Sequence, residues 1–90
     1  MEILLLENLA ADARQWLAAR HQVDYRPELA RDAQALRARL YKTDALVVPS
    51  WLRVGAPLLD FAPRLVVVGR IHEGGDNIDF EACQRRSVRV

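Results

Sequence analysis

Short runs of apolar residues alternate along this chain with segments in which apolar residues recur every three or four positions. The runs are typical of strands buried on both faces, and the wider spacing is typical of helices with one buried face. The predicted strands are residues 2–6, 21–25, 44–48, 65–68 and 88–90. The predicted helices begin near Leu9 (capped by Asn8), Leu29, Pro57 and Asp79. A helix follows each of the first four strands, which predicts one α/β domain over residues 1–90.

The order of these elements predicts a flavodoxin-like fold: a three-layer, open parallel sheet of five strands and four helices, in strand order 2-1-3-4-5. With right-handed crossovers, this order puts the first helix alone on one face and the other three helices on the opposite face. One face of strands three to five would then be uncovered. We expect an apolar patch there, or self-association through it.

Charge and composition exclude several classes of function. The 13 basic and 12 acidic residues leave a formal charge of +1, so no strong field attracts nucleic acid or an anionic membrane. The apolar runs are far shorter than the roughly 20 residues that span a bilayer. Glu2 and Glu7 flank the first run, where a signal peptide would carry positive charge. We therefore predict a cytoplasmic protein that binds neither nucleic acid nor membrane.

The sequence contains few motifs that indicate catalysis or ligand binding. The single Cys83 cannot form an internal disulfide or a multi-cysteine metal site, and we predict that it is a small buried apolar group. Gly74 and Gly75 alone do not make a phosphate-binding loop. No catalytic residue, metal site or cofactor site is predicted.

The last third of the chain contains Gly69-Arg70, Gly74 and residues 76–79, Asp-Asn-Ile-Asp. This stretch resembles the GR-x-G-x-G-x-DN-[IV]-D signature of the D-isomer-specific 2-hydroxyacid dehydrogenases, especially the phosphoglycerate dehydrogenase branch. The resemblance covers essentially the whole chain and implies the flavodoxin-like substrate-binding domain of an NAD-dependent oxidoreductase. In that family a separate nucleotide-binding domain carries the GxGxxG loop and the catalytic Arg, Glu and His. Since none of these is present in the 90 residues, we predict that the chain alone is not an enzyme.

The chain departs from the family's pattern at the ends of two strands. Pro49 and Ser50 stand where the family usually has Arg followed by Ser or Thr, and the bulky Trp51 comes next. His72 replaces a glycine of the backbone that receives the substrate carboxylate in the family, which argues against ordinary 2-hydroxyacid binding. Ser87 replaces the glycine that usually supplies a left-handed helix cap.

Two functions are compatible with these departures. In the first, the chain is a non-catalytic scaffold, engineered from a dehydrogenase-like protein to bind another protein with a concave, partly acidic surface. In the second, it is an inert excised substrate-binding domain of a phosphoglycerate-type dehydrogenase. The partner-binding surface of the first hypothesis, here called the strand-end rim, consists of Ser50, Trp51, Leu52, Arg53, Arg70, His72, Glu73, Gly74 and Gly75.

Two members of the strand-end rim have alternative interpretations. Trp51 is either a ring folded over the sheet edge or an exposed anchor for a partner. Arg70 either holds an anion or is a solvated or ion-paired charge at the end of a strand.

Overall fold

The computed structural model describes residues 1–71 and 76–90. In these residues one parallel sheet has four strands in the order β2-β1-β3-β4. The strands are β1 (Glu2–Leu5), β2 (Gln22–Tyr25), β3 (Ala45–Val48) and β4 (Val67–Arg70). The helices are α1 (Ala11–Ala18), α2 (Ala33–Leu40), α3 (Ala56–Leu59) and α4 (Phe80–Arg85), with a 3-10 helix at Pro27–Arg31. The α/β class, the parallel sheet and the four α-helices are confirmed.

The predicted fifth strand at residues 88–90 is wrong. Only one isolated bridge forms there, between Val67 and Arg89. Arg89 donates to the carbonyl of Val66 at 2.9 Å and accepts from Val68 at 2.7 Å, whereas the N–H of Val88 donates to Cys83 at 2.8 Å. In a strand, alternate residues direct their N–H and C=O groups to the same neighbour, so Arg89 faces β4 and Ser87 would be the preceding residue to do so. Ser87 instead has a left-handed backbone and donates to Gln84, so the ladder does not extend beyond one bridge. The order is therefore 2-1-3-4.

Two predicted helix starts also differ. The segment that begins near Leu29 is not one helix, because the 3-10 helix ends before Asp32 and α2 begins after it. The Asp32 carboxylate accepts the N–H of Ala35 at 3.2 Å and caps α2. Asn8 does not cap α1, which follows Ala10 without a side-chain cap.

The helices cover the two faces of the sheet unequally, as predicted. One face packs against α2, α3 and α4 in a cluster that includes Leu4, Leu46 and Val68. The opposite face carries a smaller cluster of Ile3, Leu5 and Ala45, against which Leu9 and Leu17 pack from the α1 side. Trp16 of α1 is 55% exposed. Within the described ranges, no helix is long and apolar enough to cross a membrane.

The end of α4 is a Schellman motif, in which two N–H groups beyond the helix return to its last turn. Ser87 donates to Gln84 at 3.0 Å and Val88 donates to Cys83 at 2.8 Å. Ser87 has a φ of 57°, so it occupies the left-handed position where the family usually has glycine. Cys83 is buried as predicted, and burial together with the charge of Asp79 raises the pKa of its thiol.

Candidate functional site

The carboxyl ends of β3 and β4 lie side by side, because the parallel register pairs Val48 with Arg70. This edge is where open α/β sheets bind ligands. Five of the nine predicted residues of the strand-end rim are described there: Ser50, Trp51, Leu52, Arg53 and Arg70. The other four, His72, Glu73, Gly74 and Gly75, lie outside the described residues.

The loop after β3 is fixed against the turn at residues 76–79. Val54 donates to Asn77 at 2.7 Å and Asp79 donates to Val54 at 2.8 Å, which makes the parallel bridge between Val54 and Ile78. Arg53 adds a hydrogen bond to the carbonyl of Asp76 at 3.2 Å and an ion pair with Asp79 at 3.8 Å. Arg53 is predicted to bind a partner as a member of the strand-end rim. Its side chain already has contacts within the chain.

Asn77 connects its turn to the loop after β3. Its side-chain amide donates to the carbonyls of Pro49 at 3.2 Å and Leu52 at 3.0 Å. These bonds hold the first turn after β3, which presents Trp51. Sequence spacing alone does not predict this link, because the partners are 28 and 25 residues away.

Trp51 is 52% exposed, and its ring has a neighbour that sequence spacing does not predict. The guanidinium carbon of Arg31 lies 4.7 Å from the centroid of the Trp51 ring. Arg31 belongs to the 3-10 helix after β2, and parallel strands bring the segments after β2 and β3 to the same end of the sheet. Trp51 is thus a half-exposed ring with a cation stacked on it.

Arg70 is half-buried at the end of β4. Its guanidinium carbon lies 5.5 Å from the ring centroid of Phe80. Its Nη1 is buried and has no hydrogen-bond partner among the residues that the structure describes. A buried donor without a partner favours an anionic ligand at this position.

A groove of about 630 Å³ lies beside Trp51, between the 3-10 helix with α2 and the start of α3. Its apolar lining includes Ala30, Leu36, Leu52 and Leu58. Its charged lining consists of Arg31, Arg37, Arg53 and Asp79. We call it the Arg31–Arg37 groove; the volume is within the range of small-molecule sites.

The described residues do not fit a dinucleotide or a metal ion. A dinucleotide site needs glycines in a turn between strand and helix, so that the backbone can approach the pyrophosphate. The turn between β1 and α1 has Glu7 and Asn8 and no glycine, and the described Gly55 and Gly69 do not have the GxGxxG spacing. In the described part of the chain, no three His, Cys, Asp or Glu residues group around a common centre.

The parallel sheet in strand order 2-1-3-4, with helices packed against it, defines an open α/β domain. The sequence profile of the D-isomer specific 2-hydroxyacid dehydrogenase catalytic domain matches residues 3–90. The chain belongs to this family.

Curated relatives agree with this assignment. The chain is 40% identical over 57 residues to D-3-phosphoglycerate dehydrogenase of Rattus norvegicus, covering 63% of this chain and 11% of that protein. It is 41% identical over 59 residues to the enzyme of the same name from Mycobacterium tuberculosis (strain ATCC 25618 / H37Rv), covering 66% and 11%. The chain therefore spans about a tenth of the length of these relatives.

Solved structures share the fold. A protein from Thermus thermophilus superposes with a TM-score of 0.82 at 24% identity, over 98% of this chain and 29% of that chain. The NAD+-bound 3-phosphoglycerate dehydrogenase of Entamoeba histolytica superposes with a TM-score of 0.71 at 21% identity, over 98% and 31%.

Proposed function

We propose that this chain is the substrate-holding portion of a phosphoglycerate-type 2-hydroxyacid dehydrogenase and has no oxidoreductase activity alone. The observation that supports this is a family match over residues 3–90 in a chain whose described turns do not fit a dinucleotide. Hydride transfer needs a nicotinamide held beside the substrate, and the described residues do not form a site for one.

Arg70 is the residue proposed to hold the substrate's negative charge. Its buried Nη1 has no partner among the described residues, and stacking on Phe80 fixes the guanidinium plane. Arg53 is the weaker candidate because Asp79 lies 3.8 Å away and partly neutralises it. The ligand class is a small organic anion such as 3-phosphoglycerate, with weak affinity because His72 replaces the glycine that receives the substrate carboxylate in the family.

Two measurements test this function. With reduced nicotinamide cofactor and a 2-oxo acid, the pure chain is expected to show no absorbance change. In a calorimetric titration, 3-phosphoglycerate is expected to bind weakly, and Arg70→Gln should weaken that binding about tenfold, the value of one charge-assisted hydrogen bond. The matched control is Arg85→Gln, a change on an exposed side of α4. Turnover by the pure chain, or equal binding by both variants, would contradict the proposal.

A second candidate is protein binding through the strand-end rim, with loops engineered for that purpose. The observation in its favour is that Trp51 is 52% exposed on a loop held rigid by Asn77. A rigid exposed Trp is typical of a binding hot spot.

Photo-crosslinking tests this candidate. Benzoylphenylalanine placed at position 51 in cells that make the chain should yield a discrete protein adduct. Position 16 is the matched control, because Trp16 is also about half exposed and also carries an arginine, Arg20, on its ring. No adduct at position 51, or the same adduct from both positions, would reject binding through the strand-end rim.

A further inference from the structure

The Arg31–Arg37 groove is more positively charged than the chain as a whole. Three arginines and one aspartate line it, a formal +2, whereas the complete chain carries +1. Asp79 lies 3.8 Å from Arg53, so these two charges compensate each other. Arg31 and Arg37 have no carboxylate within ion-pair distance among the described residues. The excess positive charge of the groove therefore belongs to these two side chains.

Aromatic rings hold both guanidinium groups in place. The guanidinium carbon of Arg31 lies 4.7 Å from the centroid of the Trp51 ring, and that of Arg37 lies 4.8 Å from the centroid of the Phe61 ring. Stacking orders a guanidinium without using its N–H donors or neutralising its charge. Both groups can therefore bind an anion with little further loss of conformational freedom.

The rest of the groove is apolar. Leu36 is buried in its wall, and Leu52 and Leu58 are half-buried. Ala30 and Pro57 add small apolar surfaces. A hydrated inorganic ion would leave this surface unused, whereas a ligand with an apolar body would cover it.

We propose that the Arg31–Arg37 groove binds a small carboxylic acid with an aromatic or branched aliphatic body. The carboxylate would accept from Arg31 and Arg37, and the body would lie against Leu52 and Leu58. A volume of about 630 Å³ suits such a molecule. The groove differs from the proposed substrate site because Arg70 does not line it, although Arg53, the weaker candidate for that site, does.

The test uses 4-phenylbutyrate and its uncharged amide, titrated into the full chain at low salt and followed by amide shifts in two-dimensional NMR. The acid is expected to shift residues 30–37 and 52–58 saturably, and the amide to bind about tenfold more weakly. Arg31→Gln and Arg37→Gln should each weaken the acid about tenfold. Arg20→Gln, which removes an equivalent stack on Trp16 outside the groove, should change the affinity less than twofold.

The possible results separate this proposal from the alternatives. Shifts confined to the surroundings of Arg70, or equal affinities for acid and amide, would overturn it while leaving the proposed function intact. Tighter binding of a capped Glu-Leu peptide than of 4-phenylbutyrate would assign the groove to a protein partner instead. Concentration-dependent broadening at the groove without any ligand would assign it to a second copy of the chain. Native dispersion in the spectra of the Gln variants confirms that they are folded.

Discussion

Asp44 joins two distant parts of the chain through one carboxylate. It accepts the backbone N–H of Glu2 at 2.7 Å and a hydrogen bond from Arg64 at 3.2 Å. The hydrogen bond from Glu2, followed by the charge of Arg64, lowers the pKa of Asp44 from its ordinary value of 3.8, against the opposing effect of burial. The ionised form is therefore favoured by folding.

Asp44→Ala is expected to reduce the free energy of unfolding by about 1–2 kcal/mol at neutral pH, because it leaves the Glu2 N–H without its acceptor. Since the folded pKa is lowered, this contribution is present above pH 3.8 and is lost as the pH falls through the lower folded value. Urea unfolding at neutral and acidic pH should show the difference between variant and parent shrinking in acid. Arg64→Ala, which removes a largely exposed partner, should cost less than about 1 kcal/mol. Equal losses from the two variants would mean that the ion pair dominates.

At the scale of the elements, the end of α4 stores local strain. A non-glycine residue in the left-handed region costs about 1–2 kcal/mol, and Ser87 has a φ of 57°. Glycine removes this strain from the folded state, but it also makes the unfolded chain more flexible, which opposes folding. The net effect expected of Ser87→Gly is a rise of about 0.5–1 kcal/mol in the free energy of unfolding. Thermal unfolding should therefore shift upward by a few degrees. Ser87→Ala is the control and should give no gain, since alanine keeps the strain.

The strands that the sequence predicts well are those with continuous apolar runs. Residues 44–48 give a strong signal because β3 is largely buried. The run at 65–68 places the fourth strand two residues too early, because β4 begins at Val67 and extends to Arg70. Residues 88–90 alternate between apolar and basic side chains instead, and they form one isolated bridge and no strand. Their hydrogen bonds are decided by the Schellman motif at Ser87, which depends on tertiary geometry.

The candidate site is less predictable than the fold. Trp51 stands out in the sequence because it is part of a departure from the family's pattern. Arg70 stands out because it lies at the end of a strand. Arg31 does not, since one arginine among 12 has no distinguishing neighbour in the sequence. Its stack on Trp51 follows from the strand order, which brings residues 20 positions apart into contact.

On the scale of the whole molecule, no helix of the described residues covers the second face of β3 and β4. Val47 and Val67 are only half-buried there, although their strands are apolar on both faces. We expect the chain to self-associate through this face, because burying it removes apolar surface from water.

Light scattering over a range of concentrations measures this association. Val67→Lys should shift the chain toward monomer, because association would then bury a positive charge from each copy. Tyr41→Lys, at a position 70% exposed after α2, is the control and should leave the association unchanged. A parent chain that is monomeric at every concentration would contradict the expectation. Amide dispersion shows whether the Val67 variant is folded.

The strand order also bears on how the chain assembles while it is being synthesised. β2 pairs with β1, β3 pairs with the other edge of β1, and β4 pairs with β3. When β2, β3 or β4 is synthesised, a strand with which it pairs is therefore already present. No strand has to be inserted between two strands that are already paired. The sheet can grow outward from β1 on the nascent chain, without breaking a ladder that has formed.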